Sequence, residues 1–314
     1  MEKPNIAIIG AGMTGMICAR NLQDAGYEPI IFEKSRGVGG RIATRRTREG
    51  LQFDHGAQYI TARNENFQSF INNAINAGCA VNWEIEGQNT FVGRPSMNSL
   101  LGSVTKGISL QLNQEIKTVD KAENGWVLSS DNQNQLCDIA VLALPAPQII
   151  NLIGKEHSLS QKICDVEMTS CLTLMAAFPS DQAIPFITRR EANDDLVWIA
   201  QDSAKPERSR EVTCWVAQAG EDWSRKYLEC DKDEIARILI PMLCERLNIT
   251  PSKLLYASAH RWRYSKVTVP LGRSFMSDDS ATLYLGGDWA IGARVEAAWE
   301  SGTAIAKNIL EHIE

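Results

Sequence analysis

The glycine-rich segment at residues 10–15 (GAGMTG) is the feature that most restricts what this chain can fold into. It follows the short apolar run at residues 5–10 and opens a stretch, residues 13–25, with the apolar spacing of a helix. Glycines at these intervals let a strand turn tightly into a helix whose free backbone amides and dipole can hold a pyrophosphate. The sequence therefore predicts a dinucleotide-binding β-α-β unit at the N-terminus.

An acidic residue stands where such a unit needs one. Glu33 ends the second apolar run of the unit, EPIIFE at residues 28–33, about 20 residues beyond the glycines. A carboxylate at that place accepts hydrogen bonds from the ribose hydroxyls of a bound dinucleotide. Because an arginine would be expected for a 2′-phosphate, Glu33 favours FAD or NAD over NADP.

The next residues, KSRGVGGR at 34–41, favour FAD over NAD. This turn is similar to the arginine- and glycine-containing signature of FAD-binding flavoproteins related to amine oxidases and glutathione reductase. Its glycines allow close backbone approach, and Arg41 offers a planar pair of donors to a diphosphate. Further on, LGGD at 285–288 resembles a second FAD signature, and the helix that begins near Arg294 can direct its amides at the flavin.

The composition of the chain excludes several other classes of ligand. Subtracting 32 basic from 38 acidic residues gives a net charge of −6, which argues against nucleic acid or an anionic membrane as a partner. Eight cysteines without a C-x-x-C pair predict neither a disulfide framework nor a redox dithiol, and no metal site is expected. The chain shows no secretory signal and no apolar stretch of membrane-spanning length. We expect a cytoplasmic protein that binds small molecules.

The pattern of apolar residues predicts an α/β protein with two lobes. Helices are expected at 67–78, 97–104, 233–247 and 294–313, with strand-like segments between them. At both ends of the chain the pattern is that of a strand, a glycine turn and a helix, whereas residues 158–257 mix strands and helices. We therefore predict a Rossmann-like FAD-binding lobe formed by residues 1–62, 97–157 and 258–314, and a discontinuous α+β substrate lobe formed by residues 63–96 and 158–257.

Over nearly its whole length the chain resembles the renalases, flavoproteins of the superfamily that includes amine oxidases and p-hydroxybenzoate hydroxylase-like enzymes. The most specific segments are FDHGAQYI at 53–60, HRWRYSKVT at 260–268 and GGDWAIGARVEAAW at 286–299. The resemblance implies that a flavin lies in the cleft between the two lobes. It also implies an oxidase that takes hydride from the 2- or 6-dihydro isomers of NAD or NADP and passes the electrons to oxygen, giving hydrogen peroxide.

The candidate site residues combine the motifs with this resemblance. Gln58 and Tyr59 are expected beside the flavin ring, His260 is a candidate for a proton role, and Arg263 is a candidate cation for an anionic dinucleotide substrate. These four form the predicted catalytic set. The predicted cofactor-binding set is Gly10, Ala11, Gly12, Met13, Thr14, Gly15, Glu33, Lys34, Gly40, Arg41, Ala57, Gln58, Tyr59, Ile116, Pro145, Gly287, Asp288, Arg294, Val295 and Ala298.

Two alternatives remain open at this point. One is a flavin-dependent amine oxidase, although no cysteine follows Cys244 to anchor a flavin and residues 291–293 (IGA) supply no aromatic after Trp289. The other is a non-enzymatic protein that retains the FAD fold, because a fold does not fix a function. A pyridine-nucleotide disulfide reductase is disfavoured, since the sequence has no second glycine fingerprint and no redox dithiol.

The motifs predict that FAD is held without a covalent bond. Acid precipitation of the purified protein is therefore expected to release the yellow cofactor into the supernatant, where its absorbance measures the amount. Colour that stays in the washed pellet would contradict non-covalent binding.

Overall fold

The computed structural model of the protein describes residues 3–85, 87–182 and 184–313. Within those ranges it contains eight α-helices and eighteen strands, together with short 3₁₀ turns. The helices are α1 (Met13–Asp24), α2 (Glu65–Asn76), α3 (Gly102–Thr105), α4 (Ala146–Ile153), α5 (Ser158–Ile163), α6 (Glu221–Lys226), α7 (Lys232–Leu247) and α8 (Val295–Ile313). None of the helices in these ranges is both long and apolar enough to cross a membrane.

The strands follow in chain order. They are β1 (Ile6–Ile9), β2 (Ile30–Glu33), β3 (Thr44–Arg46), β4 (Gln52–Asp54), β5 (Ala80–Asn82), β6 (Phe91–Gly93), β7 (Ser109–Leu112), β8 (Ile116–Lys121), β9 (Trp126–Ser130), β10 (Asn134–Cys137), β11 (Ile139–Leu142), β12 (Glu167–Pro179), β13 (Thr188–Arg190), β14 (Leu196–Gln201), β15 (Val212–Ala219), β16 (Tyr256–Val269), β17 (Met276–Ser277) and β18 (Leu283–Leu285). The four predicted helical segments are all confirmed, with small shifts at their ends.

The first lobe is built on a six-stranded sheet in the order β17-β18-β11-β1-β2-β7. Strand β1 pairs in parallel with β11 on one side and β2 on the other, and all four of its residues are buried. A central parallel strand is covered on both faces, which explains why its sequence is apolar throughout. Helices α1 and α8 cross closely where a Cβ on Gly302 would lie 2.3 Å from the Thr14 carbonyl oxygen. Strands β8, β9 and β10 form a separate antiparallel sheet of three strands.

The second lobe is built on a five-stranded antiparallel sheet in the order β13-β14-β15-β12-β16. One face packs on α7, where Leu172 and Leu174 share a core cluster with Leu239. The other face packs on β4, where Phe53 shares a cluster with Met175. The face that carries Met175 is therefore the one turned toward β4.

Strand pairing changes one expected lobe boundary. The division predicted between residues 257 and 258 falls inside β16, which pairs with β12 from Tyr256 to Val269. A ladder of that length belongs to one sheet, so we propose that the substrate lobe continues to Val269. The other lobe boundaries stay predictions.

A buried cluster of charges joins β4 to the turn that follows β14. The fully buried ammonium of Lys205 lies 2.6 Å from Asp202 and 3.2 Å from Asp54, and Arg208 lies 2.8 Å from Asp54. Removing one partner from such a cluster leaves an uncompensated charge and typically costs about 3–5 kcal/mol. The cluster therefore fixes the segment that leads from β4 to Tyr59 against the second sheet.

Candidate functional site

The candidate site lies where the parallel strands of the first sheet end. Gly10 follows β1, Glu33 ends β2, Ala143 follows β11, and Gly286 follows β18. These strands are neighbours and run in the same direction, so their carboxyl ends meet at one edge of the sheet. In open α/β sheets this edge is where ligands bind.

The first glycine turn has the shape that a phosphate needs. Gly10 has a φ of +106°, and a Cβ there would lie 2.6 Å from the carbonyl oxygen of Ala143. A Cβ on Gly15 would lie 2.0 Å from the Gly10 carbonyl oxygen, whereas the space beside Gly12 is open to 4 Å. Gly10 and Gly15 therefore permit the tight turn, and Gly12 leaves room for a ligand beside the N-terminus of α1.

The start of α1 is fixed to α8. Met13 and Thr14 are buried in the first turn of α1, and the Thr14 hydroxyl donates to the carbonyl of Ala298 at 2.9 Å. Val295 begins α8, so Ala298 lies in the first turn of that helix. The two helix N-termini are thus held at the same edge of the sheet.

Glu33 lies under the first glycine turn. Its carboxylate accepts hydrogen bonds from the amide of Ala11 at 2.9 Å and from the amide of Ser35 at 2.8 Å. The residue is 8% exposed, while the neighbouring Lys34 is exposed to solvent. These contacts place the carboxylate at the ligand edge, as ribose binding requires, and turn Lys34 outward.

The second glycine turn packs on the first. Gly39 pairs with Gly12 as an isolated bridge, and its amide donates to the Ala11 carbonyl at 2.9 Å. A Cβ on Gly40, whose φ is +53°, would lie 3.4 Å from the Gly12 Cα. The close approach of the two backbones explains why both turns are rich in glycine.

Arg41 and Asp288 form a bidentate ion pair. The two terminal nitrogens of Arg41 donate to the Asp288 carboxylate at 2.5 and 3.0 Å, and one of them also donates to the Ser265 carbonyl at 3.1 Å. The sequence predicted that this fork would face a diphosphate. The structure turns it toward Asp288 instead, because a buried carboxylate lies within reach on the turn after β18.

Several other predicted cofactor residues surround the same edge. The amide of Gln114 donates to the Glu33 carbonyl at 3.0 Å, which brings the buried Ile116 near the end of β2. Pro145 is the N-cap residue of α4, on the turn that follows β11. The Gly287 amide donates to the Ser301 hydroxyl at 3.1 Å.

Arg294 pairs with a residue that the sequence analysis did not select. Its guanidinium lies 2.9 Å from the carboxylate of Glu296, which is 1% exposed. The other oxygen of Glu296 accepts from the amides of Arg63 and Asn64 at 2.7 and 2.6 Å. Glu296 therefore anchors the chain that follows Tyr59 to the start of α8. A carboxylate inside an apolar helical pattern was the only available signal.

The segment Asp54 to Tyr59 runs from the charge cluster to the second glycine turn. The Ala57 amide donates to the Arg41 carbonyl at 2.9 Å. The Gln58 amide group donates to the carbonyls of Asp54 and Gly56 at 2.6 and 3.0 Å, and its own oxygen has no partner among the described residues. Gln58 is therefore buried and fixed, and Tyr59, which follows it, is half-buried. We call the region between this segment and the carboxyl ends of the parallel strands the cofactor groove.

One row of cross-strand partners on the second sheet packs against this segment. In the order of the strands the row is Arg190, Trp198, Gln218, Thr173 and His260, and we call it the cross-sheet row. Directly paired residues of neighbouring strands share a face of the sheet. The Gln218 amide donates to the Gly56 carbonyl at 2.8 Å, and the rings of Trp198 and Tyr59 are 5.6 Å apart. Only His260 of this row stands in a recognisable sequence motif, because the register between strands cannot be deduced from their separate patterns.

Two histidines and a tryptophan meet at the His260 end of the row. The ring centroids of His55 and His260 are 4.6 Å apart, and Trp262 lies 5.1 and 4.3 Å from them. The Trp262 indole donates to the His55 carbonyl at 2.9 Å. Burial lowers the pKa of His55 to about 4 and that of His260 to about 3, with the charge of Arg45 acting in the same direction. Both rings are therefore neutral near pH 7.

Arg263 does not belong to this site. It is exposed and forms an ion pair with Glu229 at 2.7 Å, next to the Cys230 carbonyl that accepts from Arg261. Glu229 and Cys230 lie between α6 and α7, on the face of the sheet turned away from the segment Asp54 to Tyr59. Successive side chains of a strand alternate between faces, so Arg263 points away from Trp262. Arg263, predicted to face the substrate, thus lies on the opposite face of the sheet from the segment Asp54 to Tyr59.

The geometry defines a dinucleotide-binding fold with a second sheet beside the cofactor groove. Residues 8–74 match the NAD(P)-binding Rossmann-like domain, and residues 76–310 match the family described as flavin containing amine oxidoreductase. The chain belongs to the flavin-containing amine oxidoreductase family.

Known relatives agree with this family. An L-glutamate oxidase precursor of Streptomyces diastatochromogenes is 47% identical over 62 residues, which is 19% of this chain and 9% of that protein. The match therefore spans a small part of the relative's length. Cyclohexylamine oxidase from Brevibacterium oxydans IH-35A has a similar structure, with a TM-score of 0.74, 13% identity and 99% of both chains covered. A protein described as a protoporphyrinogen oxidase from Exiguobacterium sp. 255-15 has a TM-score of 0.78 at 13% identity, covering 99% of this chain and all of that one.

These findings confirm the α/β fold with an amine-oxidase-like arrangement and FAD as the cofactor. The residues at the groove fit that group. The open space beside Gly12 suits a diphosphate, and the Glu33 carboxylate suits ribose hydroxyls. Two helix N-termini directed at the same edge suit an anion.

The neutral histidine pair predicts how stability depends on pH. In the unfolded chain a histidine binds a proton below about pH 6.5, whereas the folded protein resists protonation of His55 until about pH 4. The free energy of unfolding should therefore be highest above pH 6.5 and fall as the pH decreases toward 4, by an amount on the order of 3 kcal/mol for His55. Denaturant unfolding at several pH values measures this loss.

The double variant His55→Gln, His260→Gln is the matched comparison. Its stability at pH 7.5 sets its own baseline, and its loss between pH 6.5 and 4 should be smaller than that of the wild type. Parallel curves for the two proteins would show that these rings are not the groups that resist protonation.

Proposed function

We propose that the protein is an FAD-dependent oxidase that takes hydride from 2- or 6-dihydro isomers of NAD or NADP. The dihydropyridine ring loses a hydride and becomes an aromatic pyridinium. Molecular oxygen gains the two electrons and the proton of that hydride, together with a second proton from solvent, and becomes hydrogen peroxide. Bound FAD supplies the two-electron acceptor that connects the two half-reactions. We also propose a cytoplasmic location for this activity, in keeping with cysteines that are free thiols in the described residues.

The observation that carries the proposal is the charge of the cross-sheet row. Its five members include an arginine and no carboxylate. The nearest acid on the facing segment, Asp54, is buried and bound by Lys205 and Arg208. Burial opposes the ionisation of Asp54, but those two charges hold its pKa below its ordinary value. A surface of this kind favours an anionic substrate over a cationic amine, because binding specificity follows the complementarity of charge.

The side chains of the row suit hydride transfer rather than proton abstraction. Such a transfer needs a fixed orientation and a site without bulk water more than it needs a base. His260 and His55 are neutral and packed on Trp262, so we propose that they shape and dry the site. Gln58 and Tyr59 lie on the segment that contacts Arg41, and we propose that they orient the reacting rings.

A flavin-dependent amine oxidase is the second candidate. It is supported by the names of similar proteins, an L-glutamate oxidase precursor and a cyclohexylamine oxidase. Those likenesses cover a short segment in the first case and the fold alone in the second. The row offers no fixed anion for an ammonium group, which weighs against this candidate.

Anaerobic reduction of the flavin distinguishes the candidates. The holoenzyme is mixed with the 2- and 6-dihydro isomers of NAD, with ordinary NADH, with cyclohexylamine and with L-glutamate, and flavin bleaching is followed by absorbance. We expect one of the isomers to bleach the flavin fastest and peroxide to form when air is admitted. Faster bleaching by an amine would support the amine oxidase, and no bleaching by any donor would support a non-enzymatic binding protein.

A pair of variants at Gln218 tests the electrostatic argument itself. Gln218→Glu places a negative charge in the cross-sheet row, whereas Gln218→Leu removes the same hydrogen bond to Gly56 without adding charge. Reduction by the isomers should be slower in Gln218→Glu than in Gln218→Leu, because the introduced carboxylate repels the substrate phosphates. Equal rates in the two variants would show that the charge of the row does not select the substrate.

A further inference from the structure

We propose that Arg190, held by the Trp198 ring and the Tyr59 hydroxyl, is an anion-binding site that receives a phosphate of the substrate at the edge of the second sheet. The proposal rests on the proposed function, because it names the group that recognises the phosphorylated part of a dihydronicotinamide nucleotide. It also replaces Arg263, the cation that the sequence pattern selected for this task.

The first observation is how Arg190 is held. Its guanidinium carbon lies 5.1 Å from the ring centroid of Trp198 and 5.9 Å from that of Tyr59. One terminal nitrogen of the guanidinium donates a hydrogen bond to the Tyr59 hydroxyl. The distance to Trp198 falls within the range of cation–π attraction, whereas Tyr59 holds the guanidinium through its hydroxyl. A long flexible side chain is thereby fixed at a surface where it remains exposed.

The second observation is that Arg190 has no anionic partner. No carboxylate of residues 3–85, 87–182 or 184–313 lies within ion-pair distance of it. Its chain neighbour Arg189 pairs with Asp194 at 2.8 Å, and Arg263 pairs with Glu229 at 2.7 Å. Arg190 is thus held by an aromatic ring and one neutral hydroxyl, with donors left for a ligand. A guanidinium has five N–H donors in a planar fork that fits phosphate oxygens in pairs.

The third observation is the position of Arg190 relative to the reacting groups. It is the end member of the cross-sheet row, and its hydrogen-bond partner Tyr59 directly follows Gln58 on the segment that contacts Arg41. Strands in a sheet are about 4.8 Å apart, so Arg190 and Gln218 lie two strand spacings, roughly 10 Å, from each other. A ring near Gln218 and a phosphate joined to it through ribose can span this distance.

The observations favour phosphate over an aliphatic or cationic group. The Trp198 ring and the Tyr59 hydroxyl restrict the guanidinium in a geometry that suits paired oxygens, and a cationic substrate would be repelled. A site of this kind adds affinity far from the reacting carbon. It should therefore change the concentration needed for half-saturation more than the limiting rate of hydride transfer.

Binding of ADP-ribose to the holoenzyme tests the proposal without any redox reaction. This probe carries the diphosphate and lacks the nicotinamide ring. Calorimetric titration should give a dissociation constant at least tenfold larger for Arg190→Ala than for the wild type, with a smaller increase for Arg190→Lys. The control Arg225→Ala removes the same charge from an exposed arginine on α6 and should stay within twofold of the wild type. Equal affinity of the wild type and Arg190→Ala, or no binding of ADP-ribose by the wild type, would overturn the proposal.

A second comparison separates this proposal from the proposed function. Wild type and Arg190→Ala are reduced anaerobically by a 6-dihydro-NAD and by a neutral 6-dihydro-N-alkylnicotinamide. The variant should need at least tenfold more of the dinucleotide for half-saturation. The concentration of the neutral analogue that half-saturates the variant should match that of the wild type. Absence of reduction in the wild type would contradict the proposed function and leave the titration to decide on Arg190. An equal increase in the half-saturating concentration of both reductants would contradict anion binding, because the neutral analogue has no phosphate.

Discussion

The ion pair between Arg41 and Asp288 is the interaction on which the arrangement of the site depends. Arg41 belongs to the second glycine turn, and Asp288 belongs to the turn after the last strand of the first sheet. The same guanidinium bonds the Ser265 carbonyl on β16, and the Arg41 carbonyl accepts from Ala57. One residue therefore joins both ends of the first lobe, the second sheet and the segment that carries Tyr59. Hydrogen bonds to charged groups contribute about 1.5–3 kcal/mol each, and an Asp288 left alone in its buried position would carry an unpaired charge.

A β-bulge makes the contact with Ser265 possible. Thr169 on β12 pairs with Lys266, and Cys171 pairs with Trp262, so one residue of β12 faces three residues of β16. The extra residues bend β16 and leave the Ser265 carbonyl available to Arg41. Bulges commonly occur beside functional sites, where they redirect a side chain or end the pairing of strands. In this protein the bulge connects the second sheet to the cofactor groove of the first.

The sequence predicted the parts of the site that depend on local structure. Glycine spacing, the acid at Glu33 and the apolar runs determine a strand, a turn and a helix that are close in the chain. The cross-sheet row joins five strands between residues 173 and 260, and its register is a property of the assembled sheet. The alternation in HRWRYS shows that Arg263 and Trp262 face opposite ways, yet it does not say which of them faces the groove. Arg190 gave no local signal at all, because its hydrogen bond to Tyr59 joins residues 131 positions apart.

A crystal structure of the FAD-bound protein tests the central claim most directly, namely that the edge of the first sheet and the segment before Tyr59 together form the cofactor groove. The account predicts that the adenosine ribose bonds Glu33, that the diphosphate lies over Gly12 at the start of α1, and that the flavin ring lies beside Gln58 and Tyr59. It also predicts that the pair between Arg41 and Asp288 persists with FAD bound. A cofactor bound outside this groove, or an Arg41 that releases Asp288 to hold the diphosphate, would contradict the account.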